Sequence, residues 1–325
     1  MSWFESLFGF RESADRVRAH LTVEGDRLRS SANGASYGCG RLSTPSLAAL
    51  RQSTPAAAPN TLREVVGDVL SLHIDPANAG AVIQAASQFN LLEMVGPDVT
   101  PEAGVTGYQN DRTQGPICAI SCGAGTVYRN WFVPLDGQLG QTADRQIDCL
   151  ADLGDALGNQ DASLWAMRNG YAMLTEHGKR TLPQRLEALA EPARDALRAR
   201  LRIGVHADVE VTAPRAGHHL TQVYGSALPV AYGGGPAAAW EALARIVLEA
   251  SYEATLRAAA ANAATTGNRT VFLTLLGGGV FGNPIPWIVD AIDRAVGVVP
   301  AGLDVAVVSY GSSTPAVAAL ARALR

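Results

Sequence analysis

The glycines of residues 277–282 are the residues whose type and spacing most clearly indicate chemistry. Gly277 opens a run of three glycines behind an apolar stretch, and Gly282 follows three residues after that run. Because glycine lets the main chain approach a ligand closely, its N–H groups can face an anion where the loop enters a helix. The pattern predicts a phosphate- or diphosphate-binding loop, and an ordinary tight turn is the alternative. The residues expected to contact the anion or its sugar are Gly278, Gly279, Val280, Phe281, Gly282 and Asn283.

Carboxylates are concentrated in a long loop, residues 89–116, which is also rich in glycine and proline. The apolar run before it, residues 81–86, changes abruptly to polar side chains, as strands that carry a site in open α/β sheets often do. Loops of this length in a compact domain are usually functional or disordered. We therefore expect part of the site here, and its acidic candidates are Glu93, Asp98, Glu102 and Asp111.

Strand-like and helix-like segments must position these two loops. Apolar runs bounded by turn residues predict strands at residues 69–74, 81–86, 201–211, 220–232, 271–276 and 303–310. Helical patterns occupy residues 147–157, 163–174, 182–201, 236–263 and 287–296. Strands that alternate with helices indicate an α/β fold with a mainly parallel sheet.

The composition argues against several classes of function. The net charge of −4 gives no sign of a surface for nucleic acid or anionic membranes. No run of 18 apolar residues predicts a transmembrane helix, and the first residues lack the pattern of a signal peptide. The four cysteines are not arranged with further ligands at zinc spacing, so buried thiols are expected. We expect a cytoplasmic protein without a metal or cofactor.

The first 60 residues differ in composition from the rest of the 325-residue chain. Residues 1–30 have an amphipathic, aromatic pattern, whereas residues 31–60 are rich in Ser, Ala, Pro and Gly. We predict a helical N-terminal extension and linker over residues 1–60, followed by one domain over residues 61–325. Residues 127–200, about the middle of that domain, are predicted to form a helical insertion.

Two short motifs in this order resemble the macrodomain family. Gly67-Asp68-Val69 precedes the strand-like residues 81–87, and residues 279–284 (GVFGNP) are similar to the second ligand loop of macrodomains. The resemblance covers residues 61–110 and 201–325. It implies a macrodomain-like three-layer α/β/α fold with a mixed, mainly parallel central sheet. It also implies a site for ADP-ribose, which several branches of the family hydrolyse from proteins.

The first ligand loop departs from the usual macrodomain pattern. The acidic stretch that leads to Asp111 and Gln114 is more similar to the poly(ADP-ribose) glycohydrolase-like branch. The combined GGG-(x)n-QEE signature of that branch is missing, however. The resemblance therefore implies a divergent hydrolase that removes single ADP-ribose units from a protein side chain. The alternatives are a module that binds ADP-ribose without cleaving it and a nucleotide-dependent enzyme of unrelated chemistry.

The resemblance assigns roles to individual residues. Asp111 is the favoured catalytic carboxylate and Glu93 the second, because carboxylates can stabilise an oxocarbenium-like state and activate water. Asp68 would accept a hydrogen bond from the adenine amino group, and Tyr310 would stack on the adenine. The other ligand contacts are assigned to Asn90, Gln114, Gly123, Gly125 and Thr126. Turn, capping, core and solvated-loop roles remain the alternatives for these residues.

Overall fold

The computed structural model describes residues 1–53, 58–214 and 216–324. The part of the predicted linker at residues 54–57 lies outside the described residues. The helices are α1 (Trp3–Phe8), α2 (Ala14–His20), α3 (Leu47–Ser53), α4 (Val69–Ile74), α5 (Gln114–Ser121), α6 (Gly123–Trp131), α7 (Ala151–Leu157), α8 (Glu176–Glu187), α9 (Glu191–Arg198), α10 (Ala238–Thr266), α11 (Ile285–Val298) and α12 (Pro315–Ala323).

The strands fall into one large sheet and three small ones. They are β1 (Leu21–Glu24), β2 (Arg27–Ser30), β3 (Ser36–Gly38), β4 (Arg41–Ser43), β5 (Thr61–Val66), β6 (Val82–Ala86), β7 (Pro134–Leu135), β8 (Gln138–Leu139), β9 (Trp165–Arg168), β10 (Tyr171–Leu174), β11 (Gly204–Glu210), β12 (His219–Gly225), β13 (Thr270–Leu273) and β14 (Asp304–Ser309). Three short 3-10 helices lie at Pro76–Asn78, Pro101–Ala103 and Thr106–Asn110.

The central sheet has seven strands in the order β4-β11-β12-β6-β13-β14-β5. From β12 to β5 all neighbours are parallel, whereas β11 runs antiparallel to both β12 and β4. The carboxyl ends of β12, β6, β13, β14 and β5 therefore share one edge of the sheet. Ligands of open α/β sheets bind at this edge, so the topology places the loops after β6 and β13 where a site is expected.

Helices cover both faces of the sheet, which gives three layers. Gln84 of β6 points to one face, where its Nε2 donates a hydrogen bond to Thr255 of α10. Gln222 of β12 points to the other face and donates to the carbonyl oxygen of Cys118 in α5. Gln84 and Gln222 thus contact opposite helical layers, because successive side chains along a strand point to opposite faces of the sheet. The predicted three-layer α/β/α class with a mixed, mainly parallel sheet is confirmed.

The N-terminal residues contain the predicted helices only in part, at α1 and α2. After α1 and α2 they form an antiparallel sheet of β1, β2 and β3, and β4 then joins the edge of the central sheet by pairing with β11. A second hydrophobic cluster packs these residues onto the main body. Phe4, Phe8 and Phe10 are buried in it together with Tyr108 and Trp131 from the acidic loop and α6. We call residues 1–43 the N-terminal module.

Two predicted elements have the wrong secondary structure. Residues 69–74 form helix α4 instead of a strand, because Asp68 caps the helix by accepting the backbone N–H of Ser71 at 2.8 Å. Residues 163–174 form a hairpin of β9 and β10 instead of a helix. Asn169 and Gly170 both adopt positive φ at its turn, as an Asn-Gly hairpin requires.

The predicted helical insertion at residues 127–200 therefore combines helices α7, α8 and α9 with two short hairpins. Within the parts of the chain that the structure describes, no helix combines the length and apolar character needed to cross a membrane.

Candidate active site

A cavity of about 300 Å³ lies at the carboxyl ends of β6 and β13. The acidic loop forms one side, the glycine loop forms another, and a segment between β12 and α10 contributes Ala227 and Tyr232. The residues that line it are Ala86, Ser87, Gln88, Glu93, Met94, Val95, Asp111, Thr113, Gln114, Gly115, Pro116, Tyr171, Ala227, Tyr232, Thr274, Leu275, Leu276, Gly277, Gly279, Val280 and Phe281. The two loops singled out in the sequence are thus brought to one place.

A tight turn after β6 carries Glu93 into the cavity. The side-chain carbonyl of Asn90 accepts the backbone N–H of Leu92 at 3.1 Å, and Gln88 accepts the N–H of Met94 at 2.9 Å through its Oε1. Leu91 lies between them with a φ of 63°, which is unusual for a residue with a side chain. Such strain persists only where surrounding contacts enforce it, and it is often found at functional sites.

Glu93 is buried at the wall of the cavity, and neither of its carboxylate oxygens has a hydrogen-bond partner among the described residues. Its backbone N–H donates to the hydroxyl of Tyr108 at 3.0 Å, which fixes the main chain at this point. The nearest cationic group is Arg129, whose Nη2 lies 3.6 Å from Oε1. Burial raises the pKa of Glu93 to about 8, although the positive charge of Arg129 acts in the opposite direction.

Arg129 is fully buried and is held by several groups at once. Its Nε donates to the carbonyl oxygen of Leu91 at 3.0 Å, and its Nη2 donates to the hydroxyl of Thr126 at 3.2 Å. The guanidinium also lies over the ring of Tyr224, 3.8 Å from its centroid. These contacts hold Arg129 beside Glu93, and both side chains are buried away from bulk water.

His206 completes the surroundings of Arg129. Burial and the neighbouring guanidinium charge lower the pKa of His206 well below its usual range. Its Nε2 lies 2.7 Å from the carbonyl oxygen of Cys39, so this nitrogen carries the proton. The unprotonated Nδ1 then accepts from Nη1 of Arg129 at 3.4 Å.

Asp111 and Gln114 lie on the cavity wall at the start of α5. Asp111 is half-buried, and its Oδ1 accepts the backbone N–H of Thr113 at 2.8 Å. Gln114 bridges the end of β6, because it accepts the N–H of Ala86 and donates to the carbonyl oxygen of Gln84, both at 2.8 Å. Gln114 therefore ties α5 to the strand with both ends of its amide, whereas Asp111 keeps a carboxylate oxygen for the cavity.

Three residues of the glycine loop (residues 277–282) line the cavity and have backbone N–H groups that are unpaired among the described residues. The N–H groups of Gly279, Val280 and Phe281 donate to no acceptor in the described parts of the chain. By contrast, the N–H of Gly278 donates to Leu275 and that of Gly282 donates to Gly279, each at 3.0 Å. The row of donors predicted from the sequence thus excludes Gly278 and Gly282, whose N–H groups close the turns of the loop.

Asn283 supports the loop from behind and does not line the cavity. Its buried amide donates to the carbonyl oxygen of Leu228 at 2.8 Å and to that of Gly277 at 3.3 Å. Its predicted contact with the ligand is therefore replaced by a positioning contact with two loops. Gly277 has a φ of 74°, and a Cβ there would lie 2.4 Å from Cβ of Ala227. Only glycine fits at this position.

An aromatic wall that sequence reasoning missed faces the acidic loop. The rings of Tyr171, Tyr232 and Phe281 contact one another, with centroids between 5.4 and 5.7 Å apart. Tyr171 comes from the β9-β10 hairpin and donates its hydroxyl to the carbonyl oxygen of Met94 at 2.7 Å. The Asn-Gly pair at residues 169–170 is the sequence signal that could have located this hairpin.

Asp68 and Tyr310 lie outside the cavity but on the same edge of the sheet. Asp68 caps α4, and Tyr310 follows β14 with 83% of its surface exposed. From β6 to β5 there are three strand intervals, or about 14 Å at the usual spacing. An extended ligand in the cavity can therefore continue along this edge towards Asp68, whose adenine contact stays a prediction.

Four other residues that the sequence predicts as ligand contacts do not line the cavity. Asn90 is buried and bonds Gln146 and its own turn, which is the Asx-type role that the sequence left open. Gly123 and Gly125 begin helix α6 and pack towards the N-terminal module and β11, because Cβ atoms there would meet Trp3 and His206. Thr126 donates its hydroxyl to Ala119 and holds Arg129. These three residues of α6 do not form the opposite wall of the cavity.

Within residues 1–53, 58–214 and 216–324, no group of three or more His, Cys, Asp or Glu side chains is placed to hold a metal ion.

Comparison with known proteins gives matches at the level of solved structures only. No protein-family model matches the chain, and no curated protein does. Poly(ADP-ribose) glycohydrolase from Thermomonospora curvata is 15% identical with a TM-score of 0.44, and the match covers 95% of each chain. The same enzyme bound to the inhibitor ADP-HPD gives 15% identity and a TM-score of 0.45, covering 95% of this chain and 97% of that one.

The glycohydrolase from Deinococcus radiodurans in complex with ADP-ribose is 13% identical with a TM-score of 0.42. That match covers 87% of this chain and 92% of the other. TM-scores and identities this low carry no argument about the site, so its chemistry follows from its own geometry.

Proposed function

We propose that the protein is an ADP-ribosyl hydrolase, which cleaves the glycosidic bond between the distal ribose of ADP-ribose and a protein side chain. The observation that carries the proposal is Glu93, a buried carboxylate at the cavity that has no hydrogen-bond partner among the described residues. A group of this kind costs stability, and such groups are concentrated at functional sites. The macrodomain-like motifs in the sequence supply the ligand class, and the free donors of the glycine loop suit a diphosphate.

The pKa of about 8 gives Glu93 the protonation state of a general acid at neutral pH. It would donate its proton to the leaving atom of the side chain as the bond from the ribose C1 breaks. The resulting carboxylate would then take a proton from the water that attacks C1, which regenerates the acid. Arg129, 3.6 Å away, would stabilise the intervening negative charge.

Asp111 is the second carboxylate of the proposal. It lies on the cavity wall at the start of α5 and keeps one oxygen outside its turn. Its negative charge would stabilise the oxocarbenium-like ribose, which is the role a second carboxylate has in glycoside hydrolysis. The burial of Glu93 supports ranking it ahead of Asp111, which the sequence favours as the catalytic residue.

Single ADP-ribose units on a protein are the finer proposal for the substrate. The chain has runs of three glycines but no QEE, so it lacks the combined GGG-(x)n-QEE signature of the branch that hydrolyses polymers. The diphosphate would lie against Gly279, Val280 and Phe281, and the adenine would extend towards Asp68 and Tyr310.

The test combines binding with turnover. Calorimetry should show binding of ADP-ribose in preference to ATP and NAD, and peptides that carry ADP-ribose on serine, glutamate or arginine should release it. Glu93→Gln should lower release at least a hundredfold and retain ADP-ribose binding. Asp111→Ala should lower release and likewise retain binding. Glu102→Gln, in the same loop but outside the cavity, is the matched control and should keep activity.

Two outcomes contradict the proposal in different ways. Binding of ADP-ribose without turnover of any conjugate would identify a binding module. Preference for ATP or NAD over ADP-ribose would indicate a nucleotide-dependent enzyme of other chemistry.

A further inference from the structure

We propose that Glu12 of the N-terminal module is a positioning residue for Glu93. For its catalytic consequence this inference rests on the proposed function, whereas its structural part does not. The sequence assigns no role to residues 1–60 beyond an extension and linker. In the structure, the carboxylate of Glu12 reaches out of the N-terminal module and joins the two segments that flank Glu93.

Four donor groups converge on the Glu12 carboxylate. The backbone N–H groups of Val105 and Thr106 lie 2.9 and 2.6 Å from Oε2, and the hydroxyl of Thr106 also lies 2.6 Å from it. The indole Nε1 of Trp131 donates to Oε1 at 2.7 Å. Hydrogen bonds to an ionised acceptor are stronger than neutral ones, so this carboxylate holds its partners firmly.

The loop is shaped to receive this carboxylate. Gly104 adopts a φ of 76°, and a Cβ at this position would lie 2.6 Å from Cδ of Glu12. Glycine is therefore required both by the backbone conformation and by the approach of the carboxylate. Consecutive N–H groups that follow such a residue form a concave anion site. Here the anion is supplied by the same chain.

Both segments fastened by Glu12 lead directly to Glu93. Thr106 begins the 3-10 helix that carries Tyr108, whose hydroxyl accepts the backbone N–H of Glu93. Trp131 ends helix α6, two residues after Arg129, which lies beside the Glu93 carboxylate. Glu12 thus fixes the spacing between the main-chain anchor of Glu93 and its cationic neighbour.

Further contacts of the N-terminal module support the same segment. The indole of Trp3 donates to the carbonyl oxygen of Thr106 at 3.2 Å, and its backbone N–H donates to the side chain of Gln109 at 3.3 Å. The opposing possibility is that Glu12 only fastens the module to the body and has no effect on the cavity. The two possibilities differ in what happens to Glu93.

The first test measures turnover of an ADP-ribosylated peptide by the full chain. Glu12→Ala should lower turnover at least tenfold, and sodium acetate should restore part of it by filling the vacated anion site. Sodium chloride at the same ionic strength should not. Glu24→Ala is the control within the same module, since the Glu24 side chain is 58% exposed and, among the residues that the structure describes, pairs only with Arg29 at 3.9 Å. It should keep full turnover.

The second test needs no catalysis. The groups that face Glu93 are Arg129 from α6, Tyr108 from the 3-10 helix, Cys118 from α5 and Tyr224 from β12. Unfolding midpoints of the parent and of Glu93→Gln are compared between pH 5 and 8.5, with Glu12 present and with Glu12→Ala. In Glu12→Ala, the pH-dependent difference in unfolding midpoint between the parent and Glu93→Gln should shrink by at least half. Water would reach Glu93 in that variant, and burial would no longer favour its protonated form.

The outcomes separate the two proposals. If the full chain releases no ADP-ribose, the proposed function fails, and the pH series still decides the role of Glu12. An unchanged pH series would overturn the positioning role, whether or not turnover is observed.

Discussion

The carboxylate of Glu93 is buried and has no hydrogen-bond partner in the part of the chain that the structure describes, and its surroundings come from different parts of the sequence. The turn at residues 88–94 sets its direction, whereas Arg129 and Tyr108 come from segments that follow later in the sequence. A carboxyl group in such a place prefers the protonated form, because its charge would be poorly solvated. The folded state therefore binds a proton that the unfolded state releases over part of the pH range.

This proton makes stability depend on pH in a predictable direction. The folded pKa of Glu93 is raised to about 8 from 4.5, so its contribution is fully present below about pH 4.5 and is lost as pH rises through about 8. Glutamine does not titrate. Glu93→Gln should therefore gain stability relative to the parent between pH 5 and 8, by at most about 1.4 kcal/mol for each pH unit. Thermal unfolding of both proteins across this range measures the difference.

Glu102→Gln should change the stability relative to the parent protein in the opposite direction. Burial of Glu102 is the largest single influence and acts to raise its pKa, but the hydrogen bonds from the N–H of Ala143, from Thr100 and from its own backbone together outweigh burial and lower the pKa. The stability contributed by Glu102 is lost as pH falls, so this variant should lose stability relative to the parent at neutral pH. A trend for Glu93→Gln in the same direction as for Glu102→Gln would contradict the assignment.

The backbone N–H groups of the glycine loop fall into two sets, one that is paired within the loop and one that is not. Gly278 and Gly282 donate within the loop and shape it, whereas Gly279, Val280 and Phe281 keep their donors for a ligand. Asn283 fixes the loop to the segment that contains Leu228. The loop is thus held in place without using the donors that face the cavity.

Two alanine substitutions test which positions of this loop require glycine for its backbone conformation. Gly277→Ala combines a positive φ with a Cβ 2.4 Å from Ala227, so it should lower the free energy of unfolding by about 1–3 kcal/mol. Gly279→Ala meets nothing within 4 Å and has an ordinary φ, so the change should stay within about 0.5 kcal/mol. Chemical denaturation measures both. Equal losses at the two positions would contradict the loop geometry.

Local patterns allowed most of the sheet to be predicted from the sequence but failed for short elements. The apolar run at residues 81–86 and the long helix before residue 267 are strong periodic signals, and the structure contains both. Residues 69–74 are apolar and only six long, a length at which strand and helix patterns coincide. There the capping bond of Asp68 to Ser71 decides for a helix.

The candidate site was predicted only in part because its chemistry depends on distant partners. The sequence located both loops, and it named Glu93 and Asp111. It gave no reason to prefer Glu93, since the burial of Glu93 and its nearness to Arg129 arise only when α6 packs behind the acidic loop. The sequence also assigns Gly123, Gly125 and Thr126 as ligand contacts, because the start of a helix and a ligand-binding loop have similar compositions.

At the scale of the whole molecule, one buried carboxylate joins the outer helices. Glu253 of α10 is 1% exposed and receives hydrogen bonds from Arg51 of α3 at 2.7 Å and Arg294 of α11 at 2.9 Å. Arg257, one turn further along α10, donates a third at 2.9 Å. Burial alone would raise the pKa of Glu253, but these three arginines lower it to about 2.

This cluster predicts sensitivity to acid. Because the folded pKa of Glu253 is lowered, its stabilisation is present above about pH 4.5 and is lost as pH falls towards about 2. Glu253→Gln should lower the free energy of unfolding at pH 7 by about 3 kcal/mol, since three arginines lose their shared partner. Glu241→Gln removes an exposed pair with Arg245 on the same helix and should cost about 0.5 kcal/mol or less.

Denaturant unfolding at pH 7 and pH 4 compares the two variants. The difference between Glu253→Gln and the parent should narrow at the lower pH. A difference that stays constant or widens would exclude the cluster as the origin of acid sensitivity.

The unpaired N–H groups of the glycine loop have a consequence for hydrogen exchange. Amide hydrogens without an acceptor are replaced by deuterium quickly, because no local opening has to precede the exchange. The amides of Gly279, Val280 and Phe281 should therefore exchange among the fastest of the cavity, whereas the paired amide of Asn283 should be protected. A bound diphosphate would slow those three amides together and leave Asn283 unchanged, so the unmodified protein carries its own reporter of occupancy.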